Sequence, residues 1–163
     1  MTVSELEDFG MLQMDSGDIE KTLEHTSVGV LGVPTDSAPL LRPLSFWYDG
    51  ESALYFVYVL GVDSRKVTAS DNAAVARFLI HDIETTFNWR SVLLTGPIER
   101  VPEDERMAIG EQIDTAWEPD VFERAAETEA TALYRFRIDD RAGIKQLELP
   151  PELRTESSSS RPD

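Results

Sequence analysis

The residues best equipped for chemistry are Ser64, Arg65 and Lys66, three consecutive donors just past an apolar run that stops at Gly61. Arginine can fork onto two oxygens of an anion and lysine adds a point charge. The serine hydroxyl and the first N–H groups of a following helix donate further bonds. The plain alternative is a solvated basic turn. The triplet stands out because the chain carries 31 Asp and Glu against 15 Lys and Arg, for a formal net charge of -16. Its lysines are Lys21, Lys66 and Lys145.

Arg42 is the second such residue. Regular alternation along Leu40 to Tyr48 puts it on one face with Leu40, Leu44, Phe46 and Tyr48. A guanidinium on an apolar face keeps its charge and calls for an anionic partner. The alternative is a surface arginine on a strand whose other face, with Leu41 and Trp47, is the core. Arg90 is the third, between Trp89 and Ser91. By itself it reads as an edge arginine with its stem on the indole. The two histidines read as structural, His25 at a helix C-terminus and His81 at a strand end. Cysteine is absent, which removes disulfides, thiolate metal sites and cysteine nucleophiles. No metal set emerges, and no residue is assigned a catalytic role.

The elements that must position these residues are mostly strands. A helix is predicted from Ser16 to about Thr26, capped by Ser16 or Asp18. Strands follow at Val28–Val33, Pro39–Tyr48 and Leu54–Leu60, with Asp49-Gly50-Glu51 as a hairpin turn. A short helical piece carries Arg65 and Lys66 and ends near Asn72. Further strands are predicted at Ala73–His81 and Asn88–Val101, the second bent at Gly96-Pro97 because proline cannot donate to a ladder. The strongest helix signal is Pro102–Trp117, with Met107, Gly110, Ile113 and Trp117 recurring on one face. A last strand covers Ala132–Ile138. Residues 1–15 read as a loosely packed lead segment, 16–149 as one domain, and 150–163 as a disordered acidic, serine-rich tail. The pattern implies a mainly β fold, a small antiparallel barrel with flanking helices.

Taken in order, Arg42-Pro43-Leu44-Ser45-Phe46, Asp49-Gly50, Leu54-Tyr55-Phe56, Ser64-Arg65-Lys66, Asn72 and Trp89-Arg90-Ser91-Val92 with Gly96 form a recognisable series. It resembles the split-barrel flavin-binding family related to pyridoxamine 5'-phosphate oxidase, and in particular its nitroimidazole-reductase-like branch, over about residues 16 to 145. The resemblance implies a six-stranded antiparallel split barrel, a homodimer and FMN bound between the subunits. It implies that Arg42, Pro43, Leu44 and Ser45 lie along the flavin, and that Tyr58 and Val59 approach its ring or ribityl chain. Ser64, Arg65 and Lys66 would hold the phosphate, and Trp89, Arg90 and Ser91 would come in near the cofactor, from the other subunit in one arrangement. Two departures count. The branch often carries a histidine where Val57 stands, and true pyridoxamine phosphate oxidases have a histidine-containing basic C-terminal segment, whereas Leu133–Leu149 has none. The expected activity is therefore an FMN-dependent oxidoreductase on an unspecified small molecule, not pyridoxamine phosphate oxidation. The alternative is a non-catalytic flavin or deazaflavin (F420) binder.

Composition bounds the rest. The acids are spread along the chain, which points to a halophilic, carboxylate-rich surface rather than an acidic tail. A nucleic-acid partner is not expected without a basic stripe. No apolar run reaches membrane-span length and MTVSELEDFG lacks signal-peptide character, so the expected location is cytoplasmic.

Overall fold

The computed structural model describes residues 2–59, 65–114 and 131–154. Two short N-terminal elements come first: α1 (Val3–Asp8), closed by a capping box between Thr2 and Glu5, and β1 (Met11–Gln13). Helix α2 (Ser16–His25) begins as predicted, but its cap is Asp15, whose carboxylate accepts from the Asp18 N–H at 2.8 Å. Next come β2 (Val28–Val33), β3 (Leu40–Ser45), β4 (Trp47–Tyr48) and β5 (Ala53–Val59). After them run α3 (Arg65–Asn72), β6 (Ala76–Thr85), β7 (Asn88–Gly96), β8 (Ile98–Arg100) and α4 (Glu103–Asp114). Strands β9 (Thr131–Arg137) and β10 (Asp140–Gln146) close the fold, and Pro151–Leu153 forms one 3-10 turn.

The strands form two sheets, β1-β10-β7-β6-β2-β3 and β4-β5-β9-β8, with antiparallel pairing throughout. The mainly β class with flanking helices is as the sequence implies. Two predicted strands are each divided between the sheets. Leu40–Tyr48 is broken at Phe46, which packs edge-on to Phe78 with centroids 5.3 Å apart. Asn88–Val101 is broken at Pro97. At Gly96 an added Cβ would stand 1.7 Å from the Arg137 carbonyl oxygen, so only glycine lets β7 cross β9 there. The barrel core lies between the sheets. It is built from Leu31, Val33, Ile80, Val92 and Leu94 on one side and Leu54 and Phe136 on the other, with Phe56 stacked on Phe78 at 5.1 Å.

Other expectations need correction. β6 runs on to Thr85, past its predicted end at His81, so β6 and β7 make one long hairpin. β10 is unpredicted, and residues 1–15 are not loose, since β1 pairs with β10. On α4, Gly110 and Ile113 are buried but Met107 is exposed. The helix covers a second, smaller core with Ala53, Tyr55, Val101 and Leu133, on the side of β5 and β9 away from the barrel. Trp117 and residues 155–163 lie outside the described residues.

Candidate functional site

Helix α3 lies against β2, β3 and β8. It turns Val67 and Ala69 toward the barrel core, and Ala73, just past its end, packs there too. Its last turn is pinned from below. Ser70 is buried and its hydroxyl meets Tyr58 Oη at 2.9 Å, while Tyr134 Oη donates to Asp71 Oδ1 at 2.7 Å. The two phenol rings stack with centroids 4.3 Å apart. Burial pushes the Tyr58 phenol up to about 12, and burial together with the Asp71 carboxylate raises Tyr134 as well. Both rings therefore stay neutral donors or acceptors at physiological pH, and the helix that opens with Arg65 and Lys66 is held in one position.

Arg42 is on the core-facing side of β3, opposite Leu31 and flanked by Leu40 and Leu44, which pack on the core. β3 is an edge strand, so the guanidinium reaches past the sheet and is exposed. It donates to the Leu41 carbonyl at 2.9 Å. Arg65, the first residue of α3, is exposed too. Neither arginine forms an ion pair among the described residues, a condition shared with Arg77, Arg90, Arg100, Arg106 and Arg137, whereas Arg135, Arg141, Lys145 and Arg154 are paired. In a chain this acidic, two unpaired guanidinium groups on touching elements are a receptive place for an anion.

Pro43 and Ser45 point the other way, onto the outer face of the six-stranded sheet, opposite Val30 and Val28. As an edge strand, β3 gives up no necessary ladder bond to Pro43. Tyr58 is fully buried and supports α3 from inside the barrel. Val59 ends β5 opposite Thr131. Ser64 and the side chains of Val59 and Lys66 lie outside the described residues.

Trp89 and Ser91 lie on the outer face of β7, opposite Ile83 and His81. Arg90 is on the reverse face, across from Asp82 and Lys145. There a hydrogen bond from Lys145 holds the Asp18 carboxyl below its usual range, with smaller help from the charges of Lys145, Lys21 and Arg90. β3 and β7 are three strand spacings apart, roughly 14 Å. One copy of the chain therefore does not bring Trp89 and Ser91 onto Arg42 and Arg65.

The outer face between them is apolar. Leu41, Val28, Ile83 and Leu93 are exposed on it, and a groove of about 470 Å³ runs beside Val30, Pro39, Leu41, Leu79 and Leu93, with Arg77 at its side. Across the paired rows of β10, β7, β6, β2 and β3 on this face, the only acid is the marginal Asp140, opposite Thr95.

A model of the pyridoxamine 5'-phosphate oxidase family matches residues 15–145, which is most of the sequence and takes in α2 through β10. The chain belongs to the pyridoxamine 5'-phosphate oxidase family. Solved structures of similar fold include an FAD-binding protein from Mesorhizobium loti, at 19% identity and TM-score 0.67, covering 85% of this chain and 98% of that one. The FAD binding protein from Mycobacterium smegmatis aligns at 15% identity and TM-score 0.60, over 83% and 98%. A candidate 5-nitroimidazole antibiotic resistance protein from Bacteroides thetaiotaomicron aligns at 15% identity and TM-score 0.57, over 82% and 86%. No curated protein matches the sequence.

Sequence reasoning missed the Ser70–Tyr58 and Asp71–Tyr134 pairs within this family fold. Ala132, Tyr134 and Phe136 alternate visibly in the sequence, and that was the available signal for Tyr134. Nothing in the sequence paired Asp71 with it.

Proposed function

We propose that this chain is an FMN-binding protein that acts as a flavin-dependent oxidoreductase, working as a homodimer with the cofactor at the seam between two copies. The observation that carries the reading is the pair of arginines, Arg42 and Arg65, on the touching elements β3 and α3, exposed and without carboxylate partners among the described residues in a chain of net charge -16. Family membership and the two similar structures named as FAD-binding support a flavin over other anions. The donor chemistry fits its phosphate: two guanidinium groups, Lys66 and Ser64 in sequence beside Arg65, and the opening N–H groups of α3. A bound flavin supplies hydride or electron transfer through its ring. The chain's part is to fix the phosphate at α3, to lay the ring along Pro43–Ser45, and to exclude water from its face.

A homodimer completes the site. The apolar, almost acid-free outer face is the surface on which two such acidic copies can meet, and a second copy packed there brings its own Trp89 and Ser91 toward β3. Arg90, on the reverse side of β7, acts through its neighbourhood with Asp82 and Lys145 and not by touching the flavin.

The test is a visible absorption spectrum of the purified protein in high salt, with mass spectrometry of the released ligand. A flavin spectrum with FMN released is expected, and Arg65→Ala combined with Lys66→Ala should abolish retention of the cofactor. A protein that takes up no FMN on titration would overturn the proposal. FAD, deazaflavin or haem in the released fraction would reassign the cofactor. Reduction of bound flavin by NADH or NADPH on a catalytic timescale is expected of an enzyme, and its absence would leave a flavin binder.

A further inference from the structure

We infer that Gln146 is a positioning residue that sets the plane of the Trp89 indole, and that the N-terminal arm reaches the candidate site through it. Gln146 is a buried polar residue, 6% exposed, in β10 and directly opposite Trp89. Its Oε1 accepts from Trp89 Nε1 at 3.1 Å, and its Nε2 donates to the Phe9 carbonyl at 3.1 Å. An indole N–H only donates and a backbone carbonyl only accepts. The amide therefore has one workable orientation, since turning it over would set donor against donor and oxygen against oxygen.

The arm is shaped to make this contact. Phe9 caps α1, and Gly10 turns the chain with φ 76, a conformation that favours glycine. A Cβ at Gly10 would sit 3.3 Å from Pro150 Cα and 3.5 Å from Gln146 Nε2, so the turn is closely packed on both. β1 then pairs with β10, setting Met11 opposite Gln146. Two separate segments, the N-terminal arm and β7, converge on one amide of β10, and its acceptor end holds Trp89 on the outer face beside Ile83. Without that acceptor the ring is free to turn about its terminal torsion, which has a broad well. The inference rests on the two-copy flavin site proposed above, to which the outer face of β7 delivers Trp89.

The experiment is FMN titration of wild type, Gln146→Met, Trp89→Phe and the double variant. It reads flavin Kd, the visible circular dichroism of the bound flavin, and the indole 1H–15N cross-peak that disappears in W89F. Q146M should shift that cross-peak, weaken FMN roughly three- to tenfold and change the flavin dichroism. The double variant should be no worse than W89F. Q146E keeps an acceptor for the indole but sets a carboxylate oxygen against the Phe9 carbonyl, so it should hold the indole cross-peak nearer wild type than Q146M does while loosening the arm. An unchanged Q146M, or a double variant whose loss is the product of the two single losses, would overturn the inference. Should Q146M not fold, Gln146→Leu is read in its place, and unchanged FMN affinity and dichroism there would overturn it as well. Wild type failing to bind FMN would overturn this inference together with the proposed function, whereas wild-type binding beside an unaffected Q146M overturns this one alone.

Discussion

Tyr58 shows how a residue's chemistry follows from which side of a strand is inside. Alternation groups it with Leu54 and Phe56, but β5 is buried on both faces, by the barrel core on one and by the α4 layer on the other. Periodicity alone therefore does not say which face Tyr58 takes. The structure puts its ring against Tyr134 and its hydroxyl on Ser70. Because its pKa is raised to about 12, the folded protein keeps a proton that the unfolded chain releases near 10. Stability from this residue is complete below pH 10 and falls as pH rises toward 12, by on the order of 2 kcal/mol. Melting temperature measured from pH 8 to 12 should drop steeply above 10, and Tyr58→Phe should flatten part of that drop. A wild-type profile that is level across that range would exclude the effect. Arg42 was legible in part. The alternation sets it beside Leu40, Leu44, Phe46 and Tyr48 but leaves open which face is the core, and its register opposite Leu31 decides that.

At the level of elements, the turns and breaks were read well and the weakly patterned strands were not. Gly96-Pro97 marked a bend, and the bend is where the chain changes sheets. Gly96→Ala would push a Cβ into the Arg137 carbonyl and should cost about 3 kcal/mol or more, read as a lowered denaturant midpoint. A midpoint within error of wild type would mean that the crossing tolerates side chains. The Asp15 cap is a milder case. Asp15→Ala removes the acceptor for the Asp18 N–H and should destabilise by about 1 kcal/mol. β10 escaped notice because DRAGIKQ has no clean alternation, its burial being set by β7 on one side and β1 on the other. The outer half of β6, His81 to Thr85, is exposed throughout, so its sequence carries no hydrophobic period to read.

For the whole molecule, charge and face divide the surface between them. In the paired rows of the large sheet's outer face Asp140 is the one acid, and that face keeps Leu79, Leu93 and Ile83. Leu93→Asp should leave the circular dichroism spectrum intact while turning a sedimenting dimer into a monomer that no longer retains FMN. A dimer that survives this change would place the subunit contact elsewhere. Self-repulsion among 31 carboxylates should also make the melting temperature climb from low to molar salt, and a flat response would remove the idea of a salt-adapted surface. The acid excess was plain from composition, whereas the gap in it on one face appears only once the strand register is known.

The passage of one chain segment from β3 through Phe46 into β4 has a consequence for how the molecule opens. Phe46 donates its N–H to the Ser27 carbonyl and seats its ring on Phe78, so the same residue is tied to one sheet and leads directly into the other. A second tie runs through Pro97, where the Arg137 N–H is held at 3.0 Å. With two such crossings the sheets cannot separate independently. Amides in the middle of β2, β5, β7 and β9 should therefore exchange with solvent deuterium at one common rate, that of global unfolding, while those of the β6–β7 hairpin tip beyond Asp82 exchange well ahead of them.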